Sequence, residues 1–156
     1  MLASAIHQKV KQAKSFKFQM GNGNITSADC KEDSGNLIYF SGSKPRYTNK
    51  EVEGVGIGKF VAPFSCSTYS RFYTTEAVGM LNLWMPATEE EAEVISAVWD
   101  LKVVRFFLDT FQKTAGFCNA VKKNVVPDLR GMDDEQAYAA LKLTKEEVAV
   151  VEAHCA

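Results

Sequence analysis

The side chains best suited to binding a polyanion are cations and aromatics set in polar, loop-forming stretches. Ser41 to Glu51, SGSKPRYTNKE, places Lys44 and Arg46 on either side of Pro45, which stiffens the loop. Tyr47 follows, with a ring able to stack on a base. After Pro63, a stretch rich in hydroxyls and aromatics holds Thr68, Tyr69 and Arg71, whose polar groups suit a phosphate or a base edge. Lys59, behind alternating glycines, and the pair Lys122-Lys123 complete the set of expected DNA contacts: Lys44, Arg46, Tyr47, Lys59, Thr68, Tyr69, Arg71, Lys122 and Lys123. The competing reading is an ordinary polar surface loop, which has much the same composition.

Catalytic chemistry finds less to work with. Cys66 as a nucleophile needs a base, and the only imidazoles are His7 and His154. Cys30, Cys66, Cys118 and Cys155 are widely spaced with no Cys-x-x-Cys, so no structural zinc site is expected and the thiols read as free, in a reducing, cytoplasmic setting. Gly54-Val55-Gly56-Ile57-Gly58-Lys59 lacks the spacing of the dinucleotide fingerprint, and it lacks the Gly-Lys-Ser/Thr of a P-loop. A Mg²⁺-dependent nuclease needs clustered carboxylates near a lysine. Pro127-Asp128 has no following Asp/Glu-x-Lys in range, and Asp29-Cys30-Lys31 has no upstream carboxylate. The expectation is a chain with no catalytic residues, metal or cofactor of its own.

A chain of 156 residues with 46% hydrophobic content suits one domain with a substantial core. The net charge of −1 hides an asymmetry. Residues 1–75 carry ten Lys/Arg against five Asp/Glu, and residues 76–156 carry eight against fourteen. The positive field of the first half is compatible with a phosphate-facing surface. No signal sequence or apolar run of membrane-spanning length is present, so no membrane partner is expected.

The elements that must position these groups centre on Thr88 to Phe111. Thr88 and Glu91 have capping-box spacing, and Glu89, Glu90 and Glu91 suit the first turn of a helix. Val94, Val98, Leu101, Val104, Leu108 and Phe111 line one helical face, widened by Ile95, Trp99, Val103, Phe106 and Phe107. The spacing predicts one long central helix covered on more than one side. Before it, residues 1–14 read as an amphipathic helix on Leu2, Ile6, Val10 and Ala13. Ser15 to Met20 reads as a strand with Phe16, Phe18 and Met20 on one side and Lys17 and Gln19 on the other. Strands are also expected at Asn36 to Phe40, at Lys59 to Val61 and, as one apolar strand, at Ala77 to Met85. After the central helix, Asn119 to Pro127 reads as extended. A short helix capped by Asp133 or Asp134 follows, and then a terminal helix opened by the capping box of Thr144 and Glu147, with Val148 and Val151 inward. This order predicts an α+β fold, a small, mainly antiparallel twisted sheet packed on one long central helix with short C-terminal helices. Residues 1–35 stand as an N-terminal helix and strand, and residues 36–156 as the rest of one compact domain.

Residues 66–154 resemble a known family. CSTYSRFYTTEAVGMLNLWMPATEEEAEVISAVWDLKVVRFFLDTF, then NVVPDL and LKLTKEEVAVVE, is similar in its ordered segments to the C-terminal region of adenine-specific restriction–modification DNA methyltransferases of the Eco57I-like class. That region follows the catalytic domain and is taken to contribute to target recognition. The resemblance implies a non-catalytic DNA-recognition domain whose partner is double-stranded DNA. The family's Asn/Asp-Pro-Pro-Tyr/Phe motif and its S-adenosylmethionine loop do not occur here. Two other expectations stand beside it. One is an interaction protein that engages or inhibits a methyltransferase or restriction enzyme, and the other is an enzyme built on Cys66 and His154.

Overall fold

Ile6 and Val10, one helical turn apart, are the buried residues of the first helix, Leu2–Gln12 (α1), whose Lys11 is exposed while Lys9 turns to the buried carboxylate of Glu147. The structure is a computed structural model. It describes residues 2–63, 70–111 and 119–156, and the side chains of Asn119 and Lys122 lie outside that description. Short strands follow: Gln19–Met20 (β1), Cys30–Lys31 (β2), Asn36–Tyr39 (β3), Arg46–Thr48 (β4), Lys59–Pro63 (β5), Phe72–Thr74 (β6), Ala77–Val78 (β7) and Asn82–Pro86 (β8). They form two four-stranded sheets. Sheet one has the order β1-β8-β5-β6 and is antiparallel throughout; sheet two has the order β2-β4-β3-β7, with β3 and β7 parallel. Mixed helices and largely antiparallel sheets make the class α+β, as the sequence predicts.

Register decides which way sheet one faces, because directly opposed residues share a face. Phe60 opposes Met85 and Tyr73, and Ala62 opposes Leu83, so these residues form the face that joins the main core with the helices. Lys59 opposes Pro86, Val61 opposes Trp84, and Trp84 opposes Gln19, so these occupy the other face. Sheet two lies toward that other face. Tyr39 of β3 meets Phe72 of β6 edge-on at 5.3 Å, and a second, smaller core gathers Ile25, Cys30, Ile38, Phe40 and Ala77.

The long apolar segment before the central helix is divided between the sheets. Where one strand from Ala77 to Met85 is predicted, β7 belongs to sheet two and β8 to sheet one. The corner is at Gly79, where an added Cβ would lie 2.7 Å from the Cα of Phe40, so only glycine permits the crossing. Asn82, fully buried, fastens the same junction. Its amide N–H donates to the carbonyls of Tyr39 (2.7 Å) and Gly42 (3.2 Å), while its Oδ1 accepts from Gly42 N–H (3.0 Å).

The predicted central helix is two helices, Glu89–Val98 (α2) and Lys102–Thr110 (α3). At the break, the N–H groups of Trp99, Asp100 and Leu101 bond carbonyls three residues back, and Leu101 turns extended at φ −64° and ψ 137°. The freed Lys102 N–H donates to Asp134 Oδ1 at 2.8 Å. Both halves are buried as expected except Val94, which is 46% exposed; α2 spends its apolar face on Ala92, Ile95 and Val98. A second correction concerns residues 119–127. Asn119–Lys122 (α4) is a helical turn where an extended segment is predicted, and only the stretch after Asn124 runs alongside another strand. Asp134–Ala140 (α5) and Lys145–His154 (α6) close the fold; of the two caps considered for α5 it is Asp133, in a capping box with Gln136, and α6 opens with the expected box of Thr144 and Glu147. Of the predicted inward pair on α6, Val151 is fully buried and Val148 partly so.

Candidate nucleic-acid interface

The loop from Ser41 to Glu51 is a turn followed by β4, and β4 has already used part of the chemistry assigned to it. Arg46 turns back across the sheet edge, its Nη2 donating to the Cys30 carbonyl (3.1 Å) and its Nε to the Lys31 carbonyl (3.3 Å). It holds β2 in place, which leaves its guanidinium poorly placed to read a base. Lys44 is exposed at the turn with no partner among the described residues, and Tyr47 is half-buried opposite Leu37 and Lys31. The surroundings are not basic overall. Residues 29–53 hold Lys31, Lys44, Arg46 and Lys50 against Asp29, Glu32, Asp33, Glu51 and Glu53, and Lys50 is paired to Asp29 at 3.1 Å.

Lys59 and Arg71 are also spoken for. Lys59 is 1% exposed; its ammonium donates to the carbonyls of Gly54 and Ile57 and sits 5.2 Å from the Trp84 ring centre. Burial holds its pKa below the ordinary lysine value. A cation so enclosed pins the glycine turn and is not presented to a phosphate. Arg71 donates from Nε to Ser96 Oγ (2.9 Å) and from Nη2 to Asp100 (2.8 Å), which ties β6 to the end of α2. Thr68, Tyr69 and Cys66 lie outside the described residues, as does the Lys122 side chain.

Lys123 belongs to a different and more basic place. The segment after α1 runs antiparallel to residues 124–128. Ser15 bridges Pro127, Phe16 N–H donates to the Val126 carbonyl (2.9 Å), Asp128 N–H donates to the Lys14 carbonyl (2.8 Å), and the Asn124 side chain bonds the backbone of Phe18. The antiparallel register puts exposed Lys17 toward the Asn124 end of the seam, where exposed Lys123 also lies, while exposed Lys14 lies at the other end alongside Asp128, with Lys11 one turn up α1. Residues 9–17 hold four lysines and no carboxylate, and of these Lys9 is paired to Glu147 at 2.5 Å, which leaves Lys11, Lys14 and Lys17. Residues 119–132 before Asp133 hold three cations and one carboxylate, Asp128, which Arg130 engages at 2.8 Å. The positive excess of the first half is thus concentrated on α1 and the seam, away from the loop at Lys44. Lys14 and Lys17 are absent from the expected contacts. Their signal was the alternation of Ser15 to Met20, which turns Phe16 and Phe18 into the core and Lys17 outward.

The imidazoles considered as bases serve packing. His7 Nε2 lies 2.7 Å from Thr110 Oγ1 and its ring is surrounded by Phe106, Phe107 and Phe111, while His154 Nε2 lies 2.7 Å from Asp109 Oδ2. Both therefore clamp α3, one from α1 and one from α6. Among the described residues no group of three His, Cys, Asp or Glu side chains is arranged to hold a metal ion, and no helix is long and apolar enough to cross a membrane. Comparison of the chain with protein-family models, with curated proteins and with solved structures finds no match.

Proposed function

We propose that the chain is a non-catalytic DNA-binding domain that engages the phosphate backbone of duplex DNA through the seam of Lys14, Lys17 and Lys123. The observation that carries this reading is the backbone pairing of residues 14–18 with residues 124–128. It brings exposed Lys17 and Lys123, distant in the chain, to the same end of one seam, with exposed Lys14 at the other end beside Asp128, a carboxylate already paired to Arg130. Lysines placed this way contribute affinity without sequence preference, because each displaces counterions from the phosphates. Lys11 extends the surface along α1, and Lys44 at its separate turn is a subsidiary contact. The ordered resemblance of residues 66–154 to the recognition region of adenine methyltransferases supports the same class of ligand.

The test is fluorescence-detected binding to a labelled duplex across a range of salt. The affinity is expected to fall linearly on a log–log scale, and Lys17→Ala with Lys123→Ala is expected to lower the slope by about two units, roughly one per phosphate contact. A salt-independent affinity, or a slope unchanged in the double variant, removes the seam as the DNA site.

A further inference from the structure

On the far side of sheet one from the helices, the face that carries Lys59 and Trp84 opens into a cleft of about 1030 Å³ between the sheets. Its rim is unusual for this chain. Val55 and Ile57 stand there 57% and 47% exposed, beside the sheet-edge residue Met20 (58% exposed), although the molecule buries most of its large apolar side chains. Glu51 and Glu53 share the rim, both exposed, and neither carboxylate has a partner among the described residues. Lys59 cannot offset them, since its ammonium is committed to two carbonyls.

The backbone of β1 adds a directional feature. Gly21 N–H bonds the Asn82 carbonyl, which fixes the parity of the antiparallel ladder and turns the N–H and C=O of Met20 away from β8. The outward groups of Phe18 on one side are satisfied by the Asn124 amide, and Asn22 N–H on the other bonds the Val78 carbonyl. Among the described residues, Met20 between them is left with one open donor and one open acceptor at the edge of sheet one, in the wall of the cleft. An unpaired edge beside exposed apolar side chains is the arrangement that accepts an added strand, with the main chain supplying affinity and alternate side chains supplying choice.

We propose that this cleft binds an extended peptide of alternating apolar and basic residues, which pairs its backbone with Met20, sets its apolar side chains against Val55 and Ile57 and its cations against Glu51 and Glu53. This site is separate from the lysine seam and does not depend on the DNA reading. Exposed apolar area on a rim marks an interaction surface, and the two unpaired carboxylates select a cationic partner over an anionic one.

The experiment uses the whole chain and fluorescence anisotropy of a labelled heptapeptide alternating valine and lysine. Two controls accompany it, one with glutamate in place of lysine and one with glycine in place of valine. The valine–lysine peptide is expected to bind, both controls are expected to bind at least about tenfold more weakly, and Glu51→Gln with Glu53→Gln is expected to weaken the first peptide by about tenfold or more. The amide NMR signals of Met20, Val55 and Ile57 are expected to move on titration. Binding is expected to persist in the Lys17→Ala, Lys123→Ala variant, so the fate of the DNA site does not decide this one. Equal binding of either control, shifts confined to other surfaces, indifference to the glutamate changes, or no binding at millimolar peptide would each overturn the proposal.

Discussion

Trp99 is fully buried where the helices meet sheet one. Phe16 stacks on it at 5.9 Å, Phe18 meets its edge at 6.2 Å and Phe60 approaches to 5.2 Å. Its indole N–H has no hydrogen-bond partner among the described residues, so the ring contributes through packing alone. Trp99→Ala is expected to cost about 3–5 kcal/mol in denaturant unfolding, because the surrounding aromatics cannot collapse onto the space. Trp99→Phe is expected to cost a fraction of that, since no hydrogen bond is lost. His7 brings a charge question to the same core. Burial, helped by the nearby Lys11 ammonium, holds its imidazole below the ordinary histidine value, so the folded chain favours the neutral ring. That preference contributes stability in full above the unfolded value of about 6.5 and is lost as pH falls through the lower folded value. Unfolding free energy is therefore expected to decline from about pH 6.5 downward, before the carboxylates titrate. His7→Gln is expected to flatten this part of the profile, and an unchanged slope in the variant would place the loss elsewhere.

At the scale of elements, the capping boxes of Thr88 and Thr144 were legible because their signal is local, while the cap of α5 was narrowed only to Asp133 or Asp134. Thr88, Asp133 and Thr144 each accept from the N–H three residues on, at 3.1, 2.8 and 3.2 Å. Thr88→Ala is expected to lower stability by about 1 kcal/mol. The break between α2 and α3 was not legible, for an equally physical reason: Val98 to Lys102 contains no glycine or proline, and helical periodicity continues across it. The partner that makes the break acceptable is Asp134, which stands 32 positions away and caps Lys102 N–H. Asp134→Ala is accordingly expected to destabilise by about 1 kcal/mol or more, although Asp134 lies outside the helix it caps. A thermal midpoint that does not move would show that water replaces the carboxylate. The candidate site followed the same pattern. Lys44 was found from its own loop, and Lys123 from its own segment, but the company Lys123 keeps depends on a pairing more than 100 residues apart. Arg46 and Lys59 carried the right charge, but Arg46 reaches carbonyls of a separate strand and Lys59 is buried over its own glycine turn, and composition contains neither fact.

Across the whole molecule, a buried amide at the corner helps to join the two sheets. Asn82 satisfies three backbone groups at the junction, so Asn82→Ala is expected to cost about 2–4 kcal/mol and to broaden the unfolding transition as the smaller core separates from the larger. Coincident transitions by tryptophan fluorescence and far-ultraviolet circular dichroism in that variant would argue that the two cores still melt together. The seam of residues 14–18 with 124–128 has a consequence of another kind, which concerns the order in which the chain is made. Synthesis delivers α1 and the Phe16–Phe18 segment before their partners in residues 124–128 and in α6, which leave the ribosome only after more than a hundred further residues. Until then Ile6, Val10, Phe16 and Phe18 have no complete core to enter, and the like charges of Lys11, Lys14 and Lys17 beside them oppose pairing of the waiting segment with another copy of itself.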